Sequence, residues 1–204
     1  MGPCVRDEAL PAELCDRIGG DRPLVYVSLG TFLSARGDIL ATVAEALRGL
    51  PVRAAIATGL TPPEQLGRVP DDWIVAPTLP QVAILGCASL AITHAGNNSV
   101  GEALRAGVSM ITLPLSTDQF AIAADLERTG AGRCLDPNRL ERSTLRESIS
   151  ALADATRAAV DRPVPAGAPS GAHVAADAIL GLVGGEPTER PCGVAADRRP
   201  FAAT

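Results

Sequence analysis

The run ITHAGNNSVGEALRAG, from Ile92 to Gly107, passes from an apolar strand ending into a polar turn and then into a helical pattern. The first N–H groups of such a helix lack intrahelical partners and its start carries partial positive charge, so the junction can receive an anion. Gly96 permits close backbone approach and a positive φ. Asn98 or Ser99 can cap the helix while leaving N–H groups free, and His94 at the strand end can donate to a phosphate oxygen. A plainer reading, with Asn98 as an N-cap and His94 as a satisfied strand-end histidine, is open on these residues alone. Two other strand ends carry matching chemistry. SLGT combines the close approach allowed by Gly30 with the hydroxyls of Ser28 and Thr31. In PLSTDQ, Pro114 ends a strand and Asp118 and Gln119 open a helix, setting a carboxylate beside an amide. That pair suits a polyhydroxylated ligand, because one accepts and the other both donates and accepts; Asp118 can also be read as a plain N-cap.

For these turns to converge, the strands before them must lie in one sheet. LVYVSLG (24–30) reads as a buried strand, and Asp38 can cap a helix whose Ile39, Leu40, Val43 and Leu47 share a face before Gly49. Strands follow at VRAAIAT (52–58) and WIVA (73–76), a short helical turn at 81–85, a strand at 89–93 and a helix at 98–106. SMITL (109–113), a helix from Asp118 to Thr129 stopped by Gly130, and the strand GRCLD come next. Thr144 and Glu147 form a T-x-x-E capping box for a helix reaching about residue 160, and HVAADAILGLV offers the last helix. Short apolar strands alternating with helices predict an α/β fold, a doubly wound parallel sheet of Rossmann-like type. Residues 1–22, polar and glycine-punctuated, read as a linker, 23–184 as the domain, and 185–204, with prolines among charges, as a disordered tail.

Composition narrows the function. All 18 basic residues are Arg, the net charge is -5, and no basic cluster exceeds Arg198-Arg199, which argues against nucleic acid as a partner. Aromatics are only 2% against 47% hydrophobic residues, so the core must be aliphatic. Five scattered cysteines without a C-x-x-C spacing, and two distant histidines, His94 and His173, point to reduced thiols, no zinc site and a cytoplasmic location. No apolar run reaches the ~18 residues of a membrane span, and the N-terminus lacks the pattern of a signal peptide.

The run PQVAILGCASLAITHAGNNSVGEALRAGVSMITLPLSTDQ, Pro80 to Gln119, resembles the donor-binding signature of family-1 nucleotide-sugar glycosyltransferases of the GT-B fold, among them bacterial natural-product, macrolide and plant-type members. The spacing of His94, Gly96, Asn98-Ser99, Glu102, Gly107, Pro114 and Asp118-Gln119 carries the likeness, and VYVSLGT matches the opening strand of the same domain. The resemblance implies the C-terminal half of a GT-B fold. It implies a diphosphate held by Ser28, Gly30, Thr31, His94, Gly96, Asn98 and Ser99, ribose hydroxyls on Glu102, and the base near Thr78, Leu79 and Gln81. The sugar would lie on Asp118 and Gln119. Plant-type members stack a Trp on uracil where this chain has Thr78, which leaves UDP and dTDP both open. Ser109 replaces a customary Pro, and Asn97 an aromatic or small residue. No cofactor is implied, the nucleotide sugar being a substrate, and no Asp-x-Asp cluster stands ready for a metal.

Family members carry the acceptor site and the catalytic base, usually a His, in an N-terminal domain. The opening GPCVRDEALPAEL resembles the linker between the two, so the expectation is a donor-binding half with no catalytic base of its own, inactive alone. Alternatives are a stand-alone donor subunit of a two-subunit glycosyltransferase, a fragment of a longer protein, a nucleotide-sugar 2-epimerase of the same fold, and a module that only senses nucleotide sugars.

Overall fold

The computed structural model describes residues 5–30, 35–159 and 171–183. Those up to 159 belong to one compact unit, Val5–Val164, while the final helix, Gly171–Val183, belongs to a second and stands by itself here.

The short apolar runs form six strands: β1 (Leu24–Ser28), β2 (Arg53–Ala57), β3 (Ile74–Ala76), β4 (Leu90–Thr93), β5 (Ser109–Thr112) and β6 (Gly132–Cys134). All pairings are parallel, in the order β3-β2-β1-β4-β5-β6, with Val25 beside Leu90 and Ser28 beside Thr93. Parallel neighbours need crossovers, and helices supply most of them. These are α1 (Ala12–Ile18), α2 (Gly37–Leu47), α3 (Gln81–Leu85), α4 (Asn97–Arg105), α5 (Asp118–Thr129) and α6 (Arg142–Ala159). Alternate residues of each strand face opposite sides of the sheet, which divides the core in two. Val25, Val27, Ile56, Ile92 and Ile111 pack with α2 and with Leu145 and Ile149 of α6. Tyr26, Ala55, Ala91 and Met110 pack with Ile84 and Leu85 of α3, Val100 and Ala103 of α4, and Ala123 and Leu126 of α5. Both faces being covered explains why the strands read as continuous apolar runs rather than alternating ones.

Several local expectations change. Within the segment read as a linker, Ala12–Ile18 form α1, and Leu14 and Ile18, with Leu10 just before the helix, pack on the second cluster. Buried Arg53 donates to the carbonyls of Arg17 and Gly19 at 3.1 and 2.8 Å and to that of Arg22, tying the following loop to β2. Asp38 is not the cap of α2, whose N-cap is Arg36; the carboxylate receives the Arg36 guanidinium instead, which holds it below its usual pKa. Helix α6 starts at Arg142, so Thr144 and Glu147 lie inside it and form no capping box; the N–H of Leu145 already bonds to the Glu141 carbonyl. Gly130 does stop α5, in the left-handed conformation a C-terminal glycine supplies without strain. The expected tail, 185–204, lies outside the described residues.

Candidate functional site

From β1 the chain winds outward through β2 and β3, then returns to the other side of β1 as β4. At that switch point the loops beyond the carboxyl ends of the strands part and leave a crevice. A cavity of about 450 Å³ lies there, reached by Ser28 and Gly30 after β1, Thr78, Leu79 and Gln81 after β3, and His94 and Gly96 after β4. Asn98, Ser99 and Glu102 of α4 line it too, as does Arg6. The structure thus gathers ten of the thirteen residues singled out in the sequence around one space. Thr31 lies outside the described residues, and Asp118 and Gln119 stand beside the next strand end.

His94 is the centre of the cradle. A Cβ on Gly30 would come within 2.7 Å of the ring atoms Cε1 and Nε2, and one on Gly96 within 2.4 Å of Nε2. The imidazole therefore fills the room that only glycine leaves on both sides. This corrects the expectation for Gly96, whose φ is an ordinary -65°; its role is steric. The left-handed turn falls on buried Ala95, φ 65°, at a cost of about 1–2 kcal/mol for a residue with a Cβ. Burial pushes the pKa of His94 below its usual value, partly offset by a hydrogen bond to the Ser28 backbone and by the charge of Asp118.

Neither Asn98 nor Ser99 caps α4. The helix begins at Asn97 with Gly96 as N-cap and no side-chain cap, and its first internal bond runs from the Val100 N–H to the Gly96 carbonyl. The N–H groups of Asn97, Asn98 and Ser99 precede that bond, leaving the positive end of the helix at the cavity wall. Ser99 Oγ accepts from Gln81 Nε2 at 3.2 Å, which leaves its own hydroxyl proton to donate; Ser28 Oγ accepts from the Gly30 N–H at 3.3 Å.

One turn into α4, Glu102 is 6% exposed, and both its oxygens are engaged, Oε1 by Arg6 at 3.0 Å and Oε2 by Gln81. The Tyr26 hydroxyl fixes the Gln81 amide by donating to Oε1 at 3.0 Å, and burial raises the Tyr26 pKa well above its ordinary value. Sequence reasoning missed Arg6 and Tyr26. Tyr26 lay inside a strand read for its apolar content, and nothing local to Arg6 points to a partner 96 residues away.

Asp118 and Gln119 open α5 without lining the cavity. Gln119 is buried, and its Oε1 accepts from the N–H groups of Leu115 and Ser116 at 2.7 and 3.1 Å, folding the loop that precedes it. Asp118 accepts from the Thr117 hydroxyl at 2.8 Å and lies close enough to His94 to act on its titration. Thr117 itself, φ 38° and ψ -114°, is a strained β-branched residue, of the kind that persists where surrounding contacts enforce it. Among the described residues no group of three or more His, Cys, Asp or Glu could hold a metal, and no helix is long and apolar enough to cross a membrane.

A family model described as "UDP-glucoronosyl and UDP-glucosyl transferase" matches residues 3–157. The oleandomycin glycosyltransferase of Streptomyces antibioticus is 34% identical over 157 residues, which cover 76% of this chain and 36% of that protein. Among solved structures, CalG4, the calicheamicin glycosyltransferase, aligns with a TM-score of 0.67 and 29% identity over 80% of this chain and 44% of its own. The spinosyn rhamnosyltransferase SpnG, solved with thymidine diphosphate, aligns at 0.60 and 27% over 74% and 43%. The chain spans less than half the length of these relatives.

Proposed function

This chain belongs to the family of UDP-glucuronosyl and UDP-glucosyl transferases, and we propose that it is the donor-binding domain of a glycosyltransferase, holding a UDP or dTDP sugar for transfer to an acceptor hydroxyl. The observation that carries this reading is the uncapped start of α4, set against His94 between its two glycines, with Glu102 on the same helix facing the same cavity. The diphosphate lies on the N–H groups of α4 with His94, Asn98, Ser99, Ser28 and Thr31 around it. Gly30 and Gly96 give it room. The ribose hydroxyls meet Glu102, the base meets Thr78, Leu79 and Gln81, and the sugar extends toward Asp118 and Gln119.

As the bond from the anomeric carbon to the diphosphate oxygen breaks, negative charge grows on the leaving group. The α4 terminus and a His94 N–H stand where that charge develops, fixed before the reaction begins. The acceptor and the base that removes its proton come, in this reading, from a partner domain, on this or another chain; residues 23–184 are the donor domain and 1–22 the connection. The relatives named for oleandomycin, calicheamicin and spinosyn chemistry support a natural product as acceptor, and the thymidine diphosphate bound to SpnG supports dTDP beside UDP as donor.

Calorimetric titration with UDP, dTDP, GDP and uridine tests the proposal. A nucleoside diphosphate is expected to bind, and uridine to bind far more weakly for want of the diphosphate. Uridine binding as tightly as UDP, or no nucleoside diphosphate binding at all, refutes it.

A further inference from the structure

Residues 5–8 cross from α4 to α3 at the Glu102 end of the cavity, and each step is pinned. Arg105 of α4 donates to the Val5 carbonyl at 3.3 Å. Arg6 donates through Nη1 to Glu102 at 3.0 Å and through Nη2 to Glu8 Oε1 at 3.2 Å. The other oxygen of Glu8 accepts from the Val82 N–H, in the first turn of α3, at 2.8 Å. Arg6 therefore spans two carboxylates with one planar fork, which an ammonium on a flexible stem does not reproduce. With Gln81 on its far oxygen, Glu102 is held from both sides. A carboxylate oxygen accepts more than one hydrogen bond, so both retain capacity for the two hydroxyls of a vicinal diol.

We propose that Arg6 positions Glu102 for the nucleoside sugar and so sets the discrimination between ribo- and deoxyribonucleotides; this rests on the reading of Glu102 as the ribose acceptor. Arg6 also has a second effect that must be separated from the first. It is the one Arg among the described residues lining the cavity, and it offsets the Glu102 charge there. Loss of that offset weakens UDP and dUDP alike. Loss of positioning weakens UDP selectively, because only UDP presents the 2′-hydroxyl that the aligned carboxylate accepts. The Arg6 side chain is 59% exposed but Glu102 only 6%, so removing Arg6 also leaves a buried carboxylate less compensated, and thermal melting separates that loss from the effect on the ligand.

The experiment measures UDP and dUDP dissociation constants for the wild-type protein, Arg6→Ala, Arg6→Lys, Glu102→Gln and the double variant Arg6→Ala/Glu102→Gln, each checked by thermal melting. Wild type is expected to prefer UDP about tenfold, the worth of one hydrogen bond to a charged group. Arg6→Ala reduces the preference to about twofold, Arg6→Lys restores part of it, and adding Arg6→Ala to Glu102→Gln leaves the ratio where Glu102→Gln put it. An Arg6→Ala protein that keeps the full UDP preference while both ligands weaken together overturns the positioning role. Equal affinity of the wild type for UDP and dUDP, or a ratio unmoved by Glu102→Gln, overturns the reading of Glu102 and the proposal with it.

Discussion

Binding of a nucleotide sugar to this cavity is expected to load a proton onto His94. A neutral imidazole has one N–H, and the Ser28 backbone, which favours the protonated ring, competes for it. Gly30 and Gly96 close on the ring so tightly that a methyl group on either would collide with it, so it has little room to turn away. A phosphate oxygen arriving at the second ring nitrogen is therefore met best by the imidazolium. The resulting charge-assisted hydrogen bond is worth about 1.5–3 kcal/mol, and that energy raises the pKa of the ring in the bound state. The free-state value is lowered by burial and the bound-state value is higher. Affinity is therefore flat above the bound-state pKa, rises as pH falls through it, and levels off below the free-state pKa. The full gain, from above the bound-state pKa to below the free-state one, is about 10- to 100-fold. UDP-glucose is the ligand to use, because its diphosphate is a diester, whereas the terminal phosphate of UDP loses its second proton near pH ~6. Isothermal titration at pH 7 in buffers of different ionisation enthalpy reads the proton uptake directly, between zero and one per site. His94→Gln removes both the uptake and the pH slope, while Asp118→Asn, removing the charge that favours the imidazolium, shifts the profile to lower pH. Affinity independent of pH, with no proton uptake in the wild type, refutes the reasoning, as does an unchanged slope in His94→Gln.

Further tests follow from the same geometry. Ser99→Ala removes a hydroxyl donor at the start of α4 and should weaken nucleotide binding by about 1–3 kcal/mol without lowering the melting temperature, as titration and calorimetric melting will tell. Gly96→Ala places a Cβ 2.4 Å from His94 Nε2 and should both destabilise the domain by about 1–3 kcal/mol and displace the ring, read as a lower melting temperature with weaker UDP binding. Because the α4 terminus and His94 supply the positive field, EDTA is expected to leave UDP-glucose affinity unchanged, and a large loss on chelation would point to a bridging metal. The chain alone is expected to bind donor yet transfer sugar negligibly, since a general base alone contributes about 10²–10⁴-fold; product analysis by mass spectrometry, with and without an added acceptor domain, checks this.

Much of the fold is written locally. Strands buried on both faces are built mainly of apolar residues, α5 ends where Gly130 allows a left-handed turn, and the alternation of such strands with helices leaves a doubly wound sheet as the compact arrangement. The same locality made the turn from His94 to Ser99 stand out as a candidate anion site, because a strand end, a glycine and a helix start are neighbours in the chain. Tertiary structure decided what those residues do there. Gly96 is needed for the volume of the His94 ring and not for its own φ, Asn98 and Ser99 lie within the first turn and leave it uncapped, and the Gln119 carbonyl is committed to its own loop. Above all, only the folded chain brings Arg6 onto Glu102, 96 residues away, and Tyr26 onto Gln81. Hydrogen bonds between distant side chains leave no periodicity and need no particular spacing. They exist because β4 returns beside β1 and residues 5–8 cross from α4 to α3, and that proximity is a property of the packed sheet, which no window of the sequence contains.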